Sequence, residues 1–173
     1  MPRIMLLLLM LLQVTGCVTE PKQILQTQVP SGMTRQDVEL GILVATGLNL
    51  PQEKQLESWQ SMVDNVLEMI PVYKSADEQD DEKWIFETIE PSTIYASYKN
   101  GDEMLRARMD YNTSKITYRI DSSRYLKESG NTIHRQANTW LEDLKIKVNR
   151  SLGRIQAMKM GYKNKARDVE ERN

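Results

Sequence analysis

His134 is the only histidine and Cys17 the only cysteine among the 173 residues, so the side chains that most often do chemistry are scarce here. A single imidazole excludes a histidine metal cluster and any mechanism that needs two histidines. A Ser-His-Asp arrangement can be written from Ser122, His134 and Asp121. Nothing resembles the Gly-x-Ser-x-Gly turn that presents such a serine, however, and Asp121 and Ser122, as strand neighbours, are expected on opposite faces. By helical phase His134 lies at the edge of an apolar arc, with Asn138 one turn further out and Trp140 within the arc, and it is expected to hydrogen-bond the preceding loop. No residue is assigned a catalytic role, and neither a cofactor nor a metal is expected. The alternative kept open is a hydrolase or transferase centred on His134.

The cysteine raises different chemistry. It closes the stretch Gln13-Val14-Thr15-Gly16-Cys17, directly after the apolar run Ile4 to Leu12, with Arg3 before it. A short positive region, nine apolar residues and a pair of small residues are the parts of an export signal, here residues 1–16. Nine apolar residues span less than half of the roughly 20 that a membrane-crossing helix needs. Val14-Thr15-Gly16-Cys17 resembles the lipobox of bacterial lipoproteins, with valine where leucine is commonest. The resemblance implies cleavage before Cys17 and acylation of its sulfur, so that a diacylglyceryl group and a further acyl chain hold the protein to a membrane. Val18, where aspartate would imply retention at the inner membrane, implies the outer membrane and a body facing the periplasm. Cysteine catalysis goes with the thiol, and without a second cysteine no internal disulfide can form.

Candidate binding residues come from aromatic and arginine side chains at strand spacing. Leu105, Ala107 and Met109 alternate with Arg106 and Arg108, and Ile116, Tyr118 and Ile120 alternate with Thr117 and Arg119. If the first set of each faces the core, the opposite face is expected to present Trp84, Phe86, Tyr95, Arg106, Arg108, Thr117 and Arg119. Aromatics and arginines on a rigid sheet stack on sugar rings or bind acidic groups, which suggests peptidoglycan, another glycan or an envelope protein as partner. Totals of 23 basic and 24 acidic residues give no support to nucleic-acid binding. The run Asp77 to Glu82 carries five acids in six positions without the glycine and spacing of a calcium loop, and reads as a solvated loop.

Three kinds of element must position these groups. Residues 17–32, with Pro21, Pro30 and no periodicity, read as the lipidated cysteine and a flexible tether. Thr34 and Asp37 form a capping box ahead of a helix over about 35–46, and a second helix runs from Pro51 to Ile70 on the stripe Leu56, Trp59, Val63, Val66, Leu67, Ile70. Four strands follow, joined by turns at 90–92, Asn100-Gly101 and Asn112-Thr113, as an antiparallel meander. A long helix starting from Asn131-Thr132 carries Ile133, Ala137, Trp140, Leu141, Leu144, Val148, Leu152 and Ile155 on one face. The charged segment 159–173 is expected to be disordered.

The fold class is therefore α+β, with a four-stranded meander packed by a long C-terminal helix, in a single domain over 33–158. Ile116 to Ser122, then Leu126, Ile133-His134 and Asn138-Thr139-Trp140-Leu141 are similar to a family of small bacterial lipoproteins. Their pattern runs from a strand ending Tyr-x-x-Ser to Ile-His-x-x-Tyr-Asn-x-Trp on the final helix. The likeness spans roughly residues 84–152, departs at Ala137 where tyrosine is usual, and brings no activity with it. The functional expectation is a lipid-anchored, non-enzymatic binding or scaffolding module of the bacterial envelope, or an accessory subunit of a larger envelope machine.

Overall fold

The structure, a computed structural model, describes residues 18–48, 58–68, 84–124, 126 and 128–171. Cys17 with its leader, Pro51 and the acidic run 77–82 lie outside the described residues.

Thr34 and Asp37 form the capping box the sequence announces, each side chain bonding the other's backbone N–H, and helix α1 (Arg35–Ala45) follows. Helix α2 (Trp59–Glu68) starts after Ser58, whose Oγ accepts from the Ser61 N–H at 3.1 Å. It packs against α1 and sinks Met62, Val63 and Val66 into the core.

The four expected strands are β3 (Trp84–Glu90), β4 (Thr93–Asn100), β5 (Glu103–Tyr111) and β6 (Lys115–Arg124), paired antiparallel in chain order. Their turns place Ser92 and Gly101 at positive φ, 65° and 57°, the backbone region that hairpin turns demand. The sheet has five strands rather than four. β2 (Ile24–Gln28) pairs antiparallel with β6, giving the order β2-β6-β5-β4-β3. A second small sheet joins β1 (Thr19–Pro21), β8 (Thr132–His134) and β7 (Glu128–Ser129) in the order β1-β8-β7.

These strands correct the reading of 17–32 as a flexible tether, since residues 19–21 and 24–28 are both hydrogen-bonded into sheets. Pairing with distant residues, 132–134 and 115–119, organises a segment whose own composition specifies no element.

Helix α3 (Arg135–Glu170), 36 residues long, packs its apolar stripe over β2 and β6. It too departs from expectation at both ends. Residues 132–134 are strand rather than first turn, and the charged segment past 158 stays helical to Glu170. Lys159 and Tyr162 hold that extension: the Lys159 ammonium bonds Asp37, and the Tyr162 ring lies 6.0 Å from that of Trp59.

Leu105, Ala107, Met109, Ile116, Tyr118 and Ile120 are all buried as expected, against Leu141, Leu144, Val148, Leu152 and Ile155 of α3. Where α1 crosses α3, Gly41 lets the two helices approach so closely that a Cβ there would lie 2.5 Å from Leu152 Cδ2. Among the described residues no helix is long and apolar enough to cross a membrane.

Candidate functional site

The outer face of the large sheet, turned away from α3, collects most of the residues singled out for binding. Cross-strand register brings Tyr95, Arg108 and Arg119 into one row, since Tyr95 opposes Arg108 and Arg108 opposes Arg119, with Ile24 of the edge strand opposite Arg119. Arg106 sits on the same face opposite Ser97 and Ser122.

Trp84 and Phe86 do not belong to it. Trp84 opposes Tyr98 and Phe86 opposes Ala96, and these face inward with Leu105 and Ala107; both aromatics are buried in the core. The reason lies in β3 itself. A bulge between Phe86 and Thr88 shifts the strand's phase, so the core side takes Trp84 and Phe86 before it and Ile89 after it. A strand reading Trp-Ile-Phe-Glu-Thr-Ile-Glu is apolar at both parities, and its alternation alone cannot assign a face.

The arginines of the face are largely committed to neighbouring carboxylates. Arg106 Nε donates to Glu87 at 2.6 Å and its Nη1 to Asp121 at 3.0 Å, while Arg108 Nε donates to Asp110 at 2.8 Å. Asp110 also accepts from the Thr93 hydroxyl at 2.9 Å. These bonds, that from Glu87 above all, raise the pKa of Arg106, and the Asp110 carboxylate does the same for Arg108. Arg106 also lies over the Tyr95 ring, its Cζ 4.2 Å from the centroid, which occupies that aromatic face. A second bulge, at the Arg106 to Ala107 step, is what carries Asp121 to the outer face beside its neighbour Ser122.

The result is a charge-balanced grid rather than a cationic patch. Arg119 is exposed and has no ion pair among the described residues; it is flanked by Arg108 on one strand and by Ile24, 61% exposed, on the other. Of the carboxylates that balance the grid, Asp110 was legible two residues after Arg108 on the same strand face; Glu87 faces outward because Phe86 beside it faces the core, and Asp121 reaches the face through the bulge in β6.

The His134, Asn138 and Trp140 cluster is built differently. His134 is the last residue of β8, and its Nδ1 accepts the backbone N–H of Gln136 at 3.2 Å. It therefore caps the start of α3 rather than bonding the preceding loop. The loop falls instead to Asn138, which is 2% exposed. Its Nδ2 donates to the Pro21 carbonyl at 3.0 Å and to Glu20 at 3.4 Å, and its Oδ1 accepts from the Gln23 N–H at 3.4 Å. Glu20 in turn pairs with Arg135 at 2.8 Å, and that bond, then the Asn138 amide, lowers its carboxyl pKa. Trp140 packs on Tyr98, ring centroids 4.7 Å apart, inside the core.

The Ser-His-Asp arrangement is not assembled, since Asp121 binds Arg106 and the His134 Nδ1, the atom that would face an aspartate, accepts the Gln136 N–H instead. Among the described residues no group of three His, Cys, Asp or Glu side chains is placed to hold a metal ion.

A capping role makes a prediction of sign and size. His134→Ala removes the acceptor for Gln136 and costs about 1 kcal/mol in urea unfolding, and His134→Asn, which can cap, restores most of it. Equal stability of the alanine variant would contradict the cap.

Comparison of the chain with protein-family models, with curated proteins and with solved structures returns no match.

Proposed function

We propose that this protein is a lipid-anchored module of the bacterial envelope, held to the outer membrane through acyl chains on Cys17, that works by binding rather than by catalysis. The order of charge, apolar run, small residues and cysteine at positions 3–17 supports the anchor, as does the likeness to small envelope lipoproteins. The observation that carries the binding reading is the outer sheet face. It is a rigid array of arginines and carboxylates with no described element packed over it, next to an exposed Ile24. Because its charges balance, it suits a partner recognised by many hydrogen bonds, such as a glycan strand or a polar protein surface, better than a strongly acidic one.

Arg119 is the group left to meet a partner, and charge reversal there separates binding from folding. Arg119→Glu replaces a like-charge pair with Arg108 by an opposite pair, so stability holds or rises by about 0.2–1 kcal/mol. Retention on purified peptidoglycan, or photo-crosslinking from position 24 in intact cells, is expected to fall sharply in the same variant. Unchanged retention and crosslinking would remove the sheet-face reading. Intact-mass spectrometry tests the anchor separately, the expected species beginning at an acylated Cys17.

A further inference from the structure

Resting on the reading of Cys17 as the acylated residue, we propose that the protein has no flexible arm. The end of the body made by β1, β8 and the first turn of α3 is apposed to the bilayer, so the partner must be met close to the membrane. The argument is covalent. The Val18 carbonyl already accepts the Arg135 N–H at 3.1 Å, and Thr19, Glu20 and Pro21 pair with His134, Ile133 and Thr132. The Lys22 N–H donates to the Asn131 carbonyl at 2.7 Å, Asn138 holds the Pro21 carbonyl, and β2 and the bond from Val29 N–H to the Ser114 carbonyl continue the clamp.

Consecutive Cα atoms are about 3.8 Å apart, so the acylated residue is one such step from the folded body. A flexible segment of fifteen residues would have given a root-mean-square reach of about 20 Å. Acyl chains in the hydrocarbon hold their cysteine at headgroup level. Val18, 54% exposed, and Arg135, whose side chain is 67% exposed, then stand within contact of headgroups.

The body also has a defined far end. Helix α3 begins beside Val18, while its Gln156 and Lys159 side chains donate to the Ser31 and Gly32 carbonyls. At about 1.5 Å per residue, those contacts lie roughly 30 Å along the helix from Arg135. The turn at 112–114 belongs to the same far end, through the bond from Val29 to Ser114. The outer sheet face runs between the two ends, so its reach from the bilayer is limited to the body's own length.

The test uses the full lipidated protein on vesicles containing headgroup-labelled quencher lipid. Because Cys17 is the only cysteine, its acylation leaves an introduced cysteine as the sole free thiol. Thr139 marks the near end and Thr113 the far end, and both are exposed. A fluorophore on Thr139→Cys is expected to be quenched several-fold more than one on Thr113→Cys, and a long Gly-Ser spacer inserted between Cys17 and Val18 to abolish the difference. Equal quenching on a protein whose mass shows the acyl chains overturns the apposition and leaves the anchor standing. An unmodified mass overturns both.

Discussion

Replacing Asp37 with alanine is expected to remove about 3 kcal/mol of stability, a large share of the roughly 5–15 kcal/mol that a domain possesses. The side chain is 1% exposed and joins three helices. Its Oδ2 accepts from the Thr34 N–H at 2.6 Å and from the Lys159 ammonium, and its Oδ1 accepts from the Trp59 indole at 2.9 Å. Truncation takes the acceptor from the Trp59 indole and from the N-cap N–H of Thr34, both part-buried, at about 1 kcal/mol for each, and removes the half of the capping box that the Asp37 side chain makes. Lys159, with 29% of its side chain exposed, can turn to water, which keeps the loss near the lower end of the range for breaking a buried ion pair. Asp37→Asn retains the shape, but its NH₂ group must confront one of the donors, and about 2 kcal/mol is lost. Urea unfolding at neutral pH, read as a fall in midpoint at constant slope, measures both. A loss under about 1 kcal/mol in the alanine variant would mean that the three helices are held together by their apolar stripes alone.

The same carboxylate sets a pH dependence. Burial by itself raises the Asp37 pKa, but the Lys159 ammonium, the Thr34 N–H and the Trp59 indole outweigh it and leave it lowered. A carboxyl that is more acidic folded than unfolded contributes stability in full above its unfolded pKa, about 3.9, and loses that contribution as pH falls through the folded value. The gap between wild type and Asp37→Asn is therefore expected to be constant from neutral pH down to about pH 4, and to close below it.

Asp37 also shows what the sequence could and could not announce. Its capping box with Thr34 is local, three residues apart, and was legible. Trp59 and Lys159, 22 and 122 residues away, were not, because nothing in a helical stripe says which polar residue of another helix it will meet. The same division runs through the sheet. β5 and the stretch of β6 from Ile116 to Ile120 alternate strictly with one polar side, and their inward residues were assigned correctly, whereas Asp121 and Ser122, expected on opposite faces, share the outer one because of the bulge. β3 is apolar at both parities and carries a bulge, so Trp84 and Phe86 were assigned to the wrong face. β1 and β2 contain Pro21 and a run of Gln and Thr, and only their distant partners make them strands.

At the candidate site the arginines and the Asp110 partner of Arg108 were legible, but the neutralisation of Arg106 was not, since Glu87 faces it only because Phe86 is inward and Asp121 only because of the bulge in β6. The last turns of α3 read as a charged tail because the groups that anchor them, Asp37 and Trp59, belong to other helices.

Trp140→Ala is expected to have the largest effect of any single truncation in α3, about 3–5 kcal/mol, which for a domain of this size lowers Tm by roughly 10 °C or more. Trp140 is 7% exposed, and its ring lies 4.7 Å from that of Tyr98, which lies 5.4 Å from that of Trp84. This stack ties the first turns of α3 to β4 and the edge strand β3, whereas the rest of the helix packs against α1, β6 and β2. A buried indole contributes both apolar area and about 0.5–1.5 kcal/mol for each favourable ring pair. Trp140→Phe keeps a ring against Tyr98 and should recover more than half of the loss. Thermal melting of the two variants, compared with Arg119→Glu, separates the packing of this helix from the proposed binding face. Trp140→Ala is expected to melt early and, at temperatures where it stays folded, to bind as wild type; Arg119→Glu is expected to melt as wild type and fail to bind. A Trp140→Ala protein that melts normally yet fails to bind would move the functional site from the outer sheet face to the start of α3.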